Sequence, residues 1–222
     1  MRTSLIILTL NERPGLTPLF RQIPLEAVDE CFVVDGGSTD GTIEFFREHG
    51  VRVIVQPAST RGKGEGIKLG IAHATGDVVV LLSGDGNERA GDIRHLMKTI
   101  EEGYDFVIAS RFLPQSKSHD LTPIRWFGNR AFTALVNLRW GTHLTDVFNS
   151  FRAIRRRAAM QLQPQASGFE IELDMVITAI KQGLRITEIP TTELVRHGGR
   201  PKLRTFRDGW ANLLWYLREA VR

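Results

Sequence analysis

Apolar residues in the first half of the chain come in short, nearly unbroken runs rather than alternating with polar ones. Ser4–Leu8, Cys31–Val34, Val51–Val55, Val78–Leu82 and Phe106–Ala109 read as strands covered on both faces. Between them, Asp40–His49, Gly66–Ala74 and Ala90–Glu102 carry helical periodicity and stop at or near Gly50, Gly76 and Gly103. Strands and helices alternating at this spacing predict an α/β fold, a mostly parallel sheet with helices on both faces. Such sheets bind ligands at the carboxyl ends of their strands, which puts Thr9–Glu12, Asp35–Asp40 and Ser83–Glu88 on one rim.

The second half reads as a helix over Ile124–Arg139, a short strand Phe151–Ile154, a helix Phe169–Lys181 and a strand Arg185–Ile189 ended by Pro190. No linker, repeat or low-complexity stretch separates the halves, so one domain is expected over 1–222. Within it, 1–112 is the ligand-binding half, 113–203 the second half and 204–222 a C-terminal helix. The longest apolar runs, Val78–Leu82 and Leu213–Leu217, are five residues each, against about 20 needed to span a bilayer. The start shows no leader pattern, and Cys31 stands alone in an apolar run as a buried thiol, so a cytoplasmic location is expected.

Charge sharpens the picture at one end. The net charge is +4, but from Arg196 onward seven bases (Arg196, Arg200, Lys202, Arg204, Arg207, Arg218, Arg222) face only Asp208 and Glu219. A concentrated basic, aromatic tail predicts an anionic partner bound in one place rather than nucleic acid along a surface, and no nucleic-acid motif accompanies it. In a helix from about Arg204, the residues Phe206, Trp210, Leu213, Leu214 and Leu217 gather on one side. That stripe suits peripheral contact at a membrane interface, and equally suits packing on the core.

The rim loops carry the candidate chemistry. In VVDGGSTDGT, capping accounts for Ser38, Thr39 and Asp40, whereas a carboxylate at a buried strand end, Asp35, needs a partner or a ligand. In LLSGDGNE, Gly84 and Gly86 let the backbone bring Asp85 close to a ligand. Asp85 with the amide oxygen of Asn87 suits Mg2+ or Mn2+; an ordinary Gly-Asp-Gly turn is the competing reading. The Gly-rich RGKGEGIKLG places Arg61 and Lys63 at a helix start, where an anionic edge can be held.

LTLNE, VVDGGSTDGT, RGKGEGIKLGIAHATGDVVVLL, ASRF, GNR, DVFNSFR and GFEIELDM, followed by Arg196 and Lys202 in an R-x5-K spacing, stand in one order along the chain. As an ordered set they resemble the family-2 glycosyltransferases of the GT-A (Rossmann-like) fold, and within them the dolichol- or polyprenyl-phosphate mannosyltransferase branch. The resemblance implies a nucleotide-diphosphate sugar (GDP-mannose or a UDP-sugar) across the strand ends, Mg2+ or Mn2+ on its diphosphate, and a polyprenyl or dolichyl phosphate acceptor. It implies donor contacts from Thr9, Asn11, Glu12, Asp35, Lys63, Ser83, Asp85, Arg111 and Arg196, with metal held by Asp85 and Asn87. Asp146, Arg152, Glu170, Glu172, Arg196 and Lys202 fall on the acceptor side, and Asp85, Arg111 and Lys202 carry the catalytic roles. The two glutamates, two apart in a helix, point in different directions.

Three departures from the family pattern stand out. Ser83 replaces the first Asp of an Asp-x-Asp pair, Gly36 replaces a second Asp after Asp35, and Leu8 and Leu10 replace Pro and Tyr. An ionised phosphate acceptor needs no strong protein base, because its second pKa is about 6. Inverting displacement then rests on positioning and on stabilising the departing diphosphate. Transfer to a soluble glycan or polysaccharide, and a non-catalytic nucleotide-sugar-binding homologue, are the alternatives.

Overall fold

The computed structural model describes residues 1–196 and 202–221. One seven-stranded sheet organises them, in the spatial order β3-β2-β1-β4-β7-β5-β8. Its strands are β1 (Thr3–Thr9), β2 (Glu30–Asp35), β3 (Arg52–Val55), β4 (Val78–Ser83), β5 (Phe106–Ser110), β7 (Arg152–Arg155) and β8 (Ile186–Pro190). A second, two-stranded sheet pairs β6 (Lys117–Ser118) with β9 (Thr192–Glu193). The main sheet is parallel except for β7, which runs antiparallel between β4 and β5.

Successive strand residues go to opposite faces, and both faces are covered, which is why the runs are apolar throughout. Ile6, Phe32, Val79 and Ile108 pack under α3 (Lys63–His73), α6 (Arg156–Leu162) and α7 (Ile171–Lys181). Leu5, Ile7, Val33 and Val80 pack under α1 (Arg13–Phe20), α2 (Thr42–Glu48) and α4 (Ile93–Glu101). Each layer draws residues from both halves of the chain.

Two helices were not evident in the sequence pattern. Pro14 and Pro18 disguise α1, yet Pro14 falls in the first turn, where its missing N–H costs nothing. The arginines around α6 mask a short helix whose Ala158, Ala159 and Leu162 are buried. Helix α2 begins at Thr42, two residues later than expected, after a left-handed Gly41. Asp40 stands ahead of it, accepting from the Thr42 N–H (3.0 Å) and hydroxyl (2.6 Å).

Register places the site. Thr9 pairs with Asp35 and Leu8 with Ser83, so the ends of β1, β2 and β4 share one rim. Because β7 is antiparallel, the residues before it, Asn149–Phe151, reach that same rim. Over it lie α5 (Pro123–Trp140) and α8 (Thr205–Ala220). Among the described residues no helix is long and apolar enough to cross a membrane.

The stripe on α8 does not pack on the core. Phe206 (81% exposed), Trp210, Leu214 and Leu217 face outward, while Asp208, Asn212, Tyr216 and Glu219 are buried; Leu213 is half-buried. Ile124, Phe127 and Leu138 of α5 are likewise exposed.

Candidate active site

A cavity of about 820 Å³ opens along this rim. Thr9, Asn11, Glu12, Lys63, Ser83 and Asp85 line it, as do Asn87, Arg111, Glu172, Arg196 and Lys202. Asp35, Asp146, Arg152 and Glu170 do not, and the structure gives the first three another task.

Asp35 is buried and its carboxylate is committed to the turn. Oδ1 accepts from the N–H groups of Gly37 (2.8 Å) and Ser38 (2.6 Å); Oδ2 accepts from the hydroxyls of Thr9 (2.7 Å) and Ser38 (2.6 Å). The ligand-facing surface is therefore the backbone that Asp35 shapes, Gly36 and Gly37, rather than the carboxylate itself. Ser38, expected to cap a helix, instead links Asp35 to the Asn11 N–H (2.8 Å).

Asp146 is likewise internal, and grips Arg111. Arg111 Nε lies 2.7 Å from Oδ2 and Nη2 3.0 Å from Oδ1, while Nη1 reaches Glu193 at 3.2 Å. Burial works against the guanidinium charge, but Asp146 and then Glu193 outweigh it and hold its pKa above the usual range. Three of five N–H donors are engaged, leaving two to meet an anion.

Arg152, expected on the acceptor side, is 1% exposed. Its guanidinium ends on the carbonyl oxygens of Asn149 and Glu172 and lies over Phe106. Burial pushes its pKa down to about 10. It acts on the site through the loop and helix start that it ties together. Glu170 stands just ahead of α7 rather than within it and does not line the cavity, whereas Glu172, in the first turn, does. Lys63 Nζ lies 2.5 Å from Glu172 Oε1 and 2.6 Å from Ser150 Oγ, joining α3 to α7 across the rim.

The acidic loop after β4 has a basic counterpart. Arg196 Nη2 lies 2.7 Å from Asp85 Oδ2, and Lys202 Nζ binds Glu12 and the Asn11 carbonyl oxygen. The rest of the R-x5-K stretch, 197–201, lies outside the described residues, as does Arg222. Burial raises the Glu12 pKa against the pull of Lys202.

Among the cavity-lining residues that the sequence did not single out, three bear on the site's chemistry. Glu88 is nearly buried; its carboxyl accepts from the Ser83 N–H (2.6 Å) and hydroxyl (3.1 Å). Burial, then Asp85, push its pKa up to about 8. Glu193 joins Arg111 to Ser118. Gln56 follows β3 directly, so the strand-end rule that found the other loops also points to it. For Glu193 the signal was absent, since a two-residue strand leaves no periodicity.

The donor set has a definite character. Among the described residues no three His, Cys, Asp or Glu side chains converge as a ligand set. Asp85 supplies one carboxylate, and Asn87 turns its amide nitrogen to Asp120 and Glu193 (both 3.5 Å), leaving its amide oxygen. Mg2+ and Mn2+ are held by one or two carboxylates together with phosphate oxygens and water. These residues fit such an ion when a diphosphate completes its shell.

Known proteins resemble this chain over most of its length. A family model described as Glycosyl transferase family 2 matches residues 4–163. Glycosyltransferase AglJ of Haloferax volcanii is 31% identical over 214 residues, covering 96% of this chain and 70% of that one. The dolichol-phosphate mannosyltransferase of Pyrococcus furiosus is 27% identical over 215 residues, covering 92% and 60%. Glucosyl-3-phosphoglycerate synthase from Mycobacterium tuberculosis, solved with Mn2+, UDP-glucose and phosphoglyceric acid, matches with a TM-score of 0.82. That alignment covers 99% of this chain and 80% of the other at 22% identity, a likeness of fold.

Proposed function

The chain belongs to glycosyl transferase family 2, and on that premise we propose that it moves a hexosyl group from a nucleoside-diphosphate sugar to a polyprenyl phosphate, inverting the anomeric centre. The observation that carries this reading is the course of the cavity. It begins among the glycines of the β2 loop, passes Asp85 and Arg111, and ends between α5 and α8. Leu121, Ile124, Phe132 and Leu203 line that end beside the polar Arg125, Asn129, Asp208 and Asn212, and both helices carry exposed apolar residues on their outer faces. An anionic head with a hydrocarbon tail matches this sequence of surfaces, and the dolichol-phosphate mannosyltransferase among the relatives accords with it.

Asp85 and Asn87 would hold Mg2+ or Mn2+, which supplies positive charge to the departing diphosphate. Gly36 and Gly37, with the Arg61 guanidinium against Gly37, border the nucleoside end, and Lys63, fixed by Glu172 and Ser150, sits on the same wall. The two remaining donors of Arg111, together with Arg196 and Lys202, bind and orient the phosphates. A phosphate oxygen of the acceptor attacks the anomeric carbon; the new C–O bond forms as the bond to the diphosphate breaks. That oxygen arrives largely ionised at neutral pH, so no side chain has to remove a proton. The outward faces of α5 and α8 would lie in a membrane interface, with Arg207 and Arg218 towards anionic head groups.

The test is a screen of purified protein with radiolabelled UDP- and GDP-sugars, with polyprenyl phosphate or phosphoglycerate as acceptor, in Mg2+, Mn2+ or EDTA. Metal-dependent label in the lipid fraction is expected. Label transferred to phosphoglycerate and not to lipid overturns the acceptor assignment.

A further inference from the structure

At the nucleoside end of the cavity one side chain is prepared for a partner that the protein does not supply. Gln56 is 6% exposed and lines the cavity. Its Nε2 donates to two backbone carbonyls, Gly62 at 3.0 Å and Thr60 at 3.3 Å. An amide nitrogen has two protons, and both are engaged. The opposite amide orientation would set Oε1 against those two carbonyl oxygens, so the network fixes which atom faces inward.

Among the described residues no donor reaches Oε1. The side chain is held from behind while Oε1 opens onto the cavity, where a ligand N–H can take the place of water. Glycine on both sides keeps the approach open. A Cβ added at Gly36 would stand 3.5 Å from Oε1, and one at Gly66 3.4 Å from it. A Cβ at Gly36 would also stand 3.3 Å from Leu10 Cδ1, so an apolar side chain flanks the same space.

Resting on the nucleoside-diphosphate reading above, we propose that Gln56 reads the base of the donor, with Oε1 accepting the ring N–H of a keto base, uracil or guanine. Uracil and guanine each carry a ring N–H beside a carbonyl. Cytosine and adenine carry a ring nitrogen lone pair at the corresponding place, which would face Oε1 with like charge. Leu10 gives the base plane an apolar neighbour, and Arg61, on the same wall, offers donors to the adjacent base carbonyl. Asp35 is not free for this task, because four hydrogen bonds hold its carboxylate in the turn.

The experiment is calorimetric titration of the full chain with UDP, GDP, CDP and ADP in Mn2+, for the wild type and Gln56→Leu. N3-methyl-UDP and N1-methyl-GDP, which lack the ring donor, are included. The wild type should prefer UDP or GDP over CDP and ADP by about tenfold or more, as sites that hydrogen-bond a substrate N–H discriminate strongly. Methylation should remove that advantage, and in Gln56→Leu the ranking should collapse to within about threefold. If the variant does not fold, the methylated nucleotides on the wild type decide alone. An unchanged ranking in folded Gln56→Leu, or no loss on methylation, overturns the assignment while leaving the donor reading intact. Failure of every nucleoside diphosphate to bind overturns both.

Discussion

Arg196 Nη2 stands 2.7 Å from Asp85 Oδ2, so the carboxylate suited to a divalent cation already has a cationic partner. The same guanidinium lies 3.9 Å from Glu12, which Lys202 also binds. Two bases after β9 thus neutralise two acids on the rim. Binding a metal diphosphate must redistribute these pairs, with the bases moving from carboxylates to phosphates of like charge and stronger geometry.

That exchange predicts competition. Arg196→Gln should raise the affinity of Asp85 for Mn2+ alone by about fivefold, because a charge-assisted bond no longer has to be broken. The same variant should lower sugar transfer. Titration of free Mn2+ by electron paramagnetic resonance checks the first effect; equal or weaker Mn2+ binding in the variant contradicts it.

Glu88 makes stability depend on pH. Its carboxyl titrates near 4.5 in the unfolded chain and near 8 in the folded one, through burial first and Asp85 second. Between those values the folded state holds the extra proton, so stability falls as pH rises from about 4.5 towards 8. Glu88→Gln should flatten this slope. Unfolding midpoints measured in EDTA from pH 5 to 9 should diverge between pH 5 and about 8 and run parallel above it; curves parallel throughout contradict the assignment.

Arg111 and Asp146 act as a geometric unit. Arg111→Lys keeps the charge but cannot reproduce the paired bonds to Oδ1 and Oδ2, leaving part of a buried carboxylate unsatisfied. A loss of roughly 2–3 kcal/mol in urea unfolding is expected, with transfer reduced beyond what stability explains. A fully active and equally stable variant removes Arg111 from the site.

The exposed faces of α5 and α8 predict binding to vesicles containing anionic lipid. Replacing Phe206 and Trp210 by Ser should weaken cosedimentation by about tenfold or more, since each ring would withdraw apolar area from water at the interface. Unchanged cosedimentation would assign those faces to another partner.

The seven strands of the main sheet and the rim were legible because burial on both faces writes the central strands as unbroken apolar runs. The antiparallel insertion of β7 was not, since direction leaves no mark in a four-residue strand. Asp85 and Lys63 were legible as polar residues at a strand end and a helix start; Glu172 was legible only through the family resemblance. Asp35 was legible as a strand-end carboxylate and Asp146 only through the family resemblance, and neither as internal: a sequence shows a carboxylate without showing the N–H groups, hydroxyls or guanidinium that surround it. Arg152 was hidden for the same reason, its partners being carbonyl oxygens. Glu88 lay within a loop already singled out, yet only the fold brings its carboxyl back onto Ser83.

The most direct measurement is Mn2+ binding by electron paramagnetic resonance in the presence of UDP or GDP, compared between the wild type and Asp85→Asn. The wild type should bind the metal–nucleotide complex well and Mn2+ alone weakly, and Asp85→Asn should lose at least about tenfold in affinity for the complex. Equal binding of the complex by the two proteins would contradict a diphosphate metal anchored at Asp85.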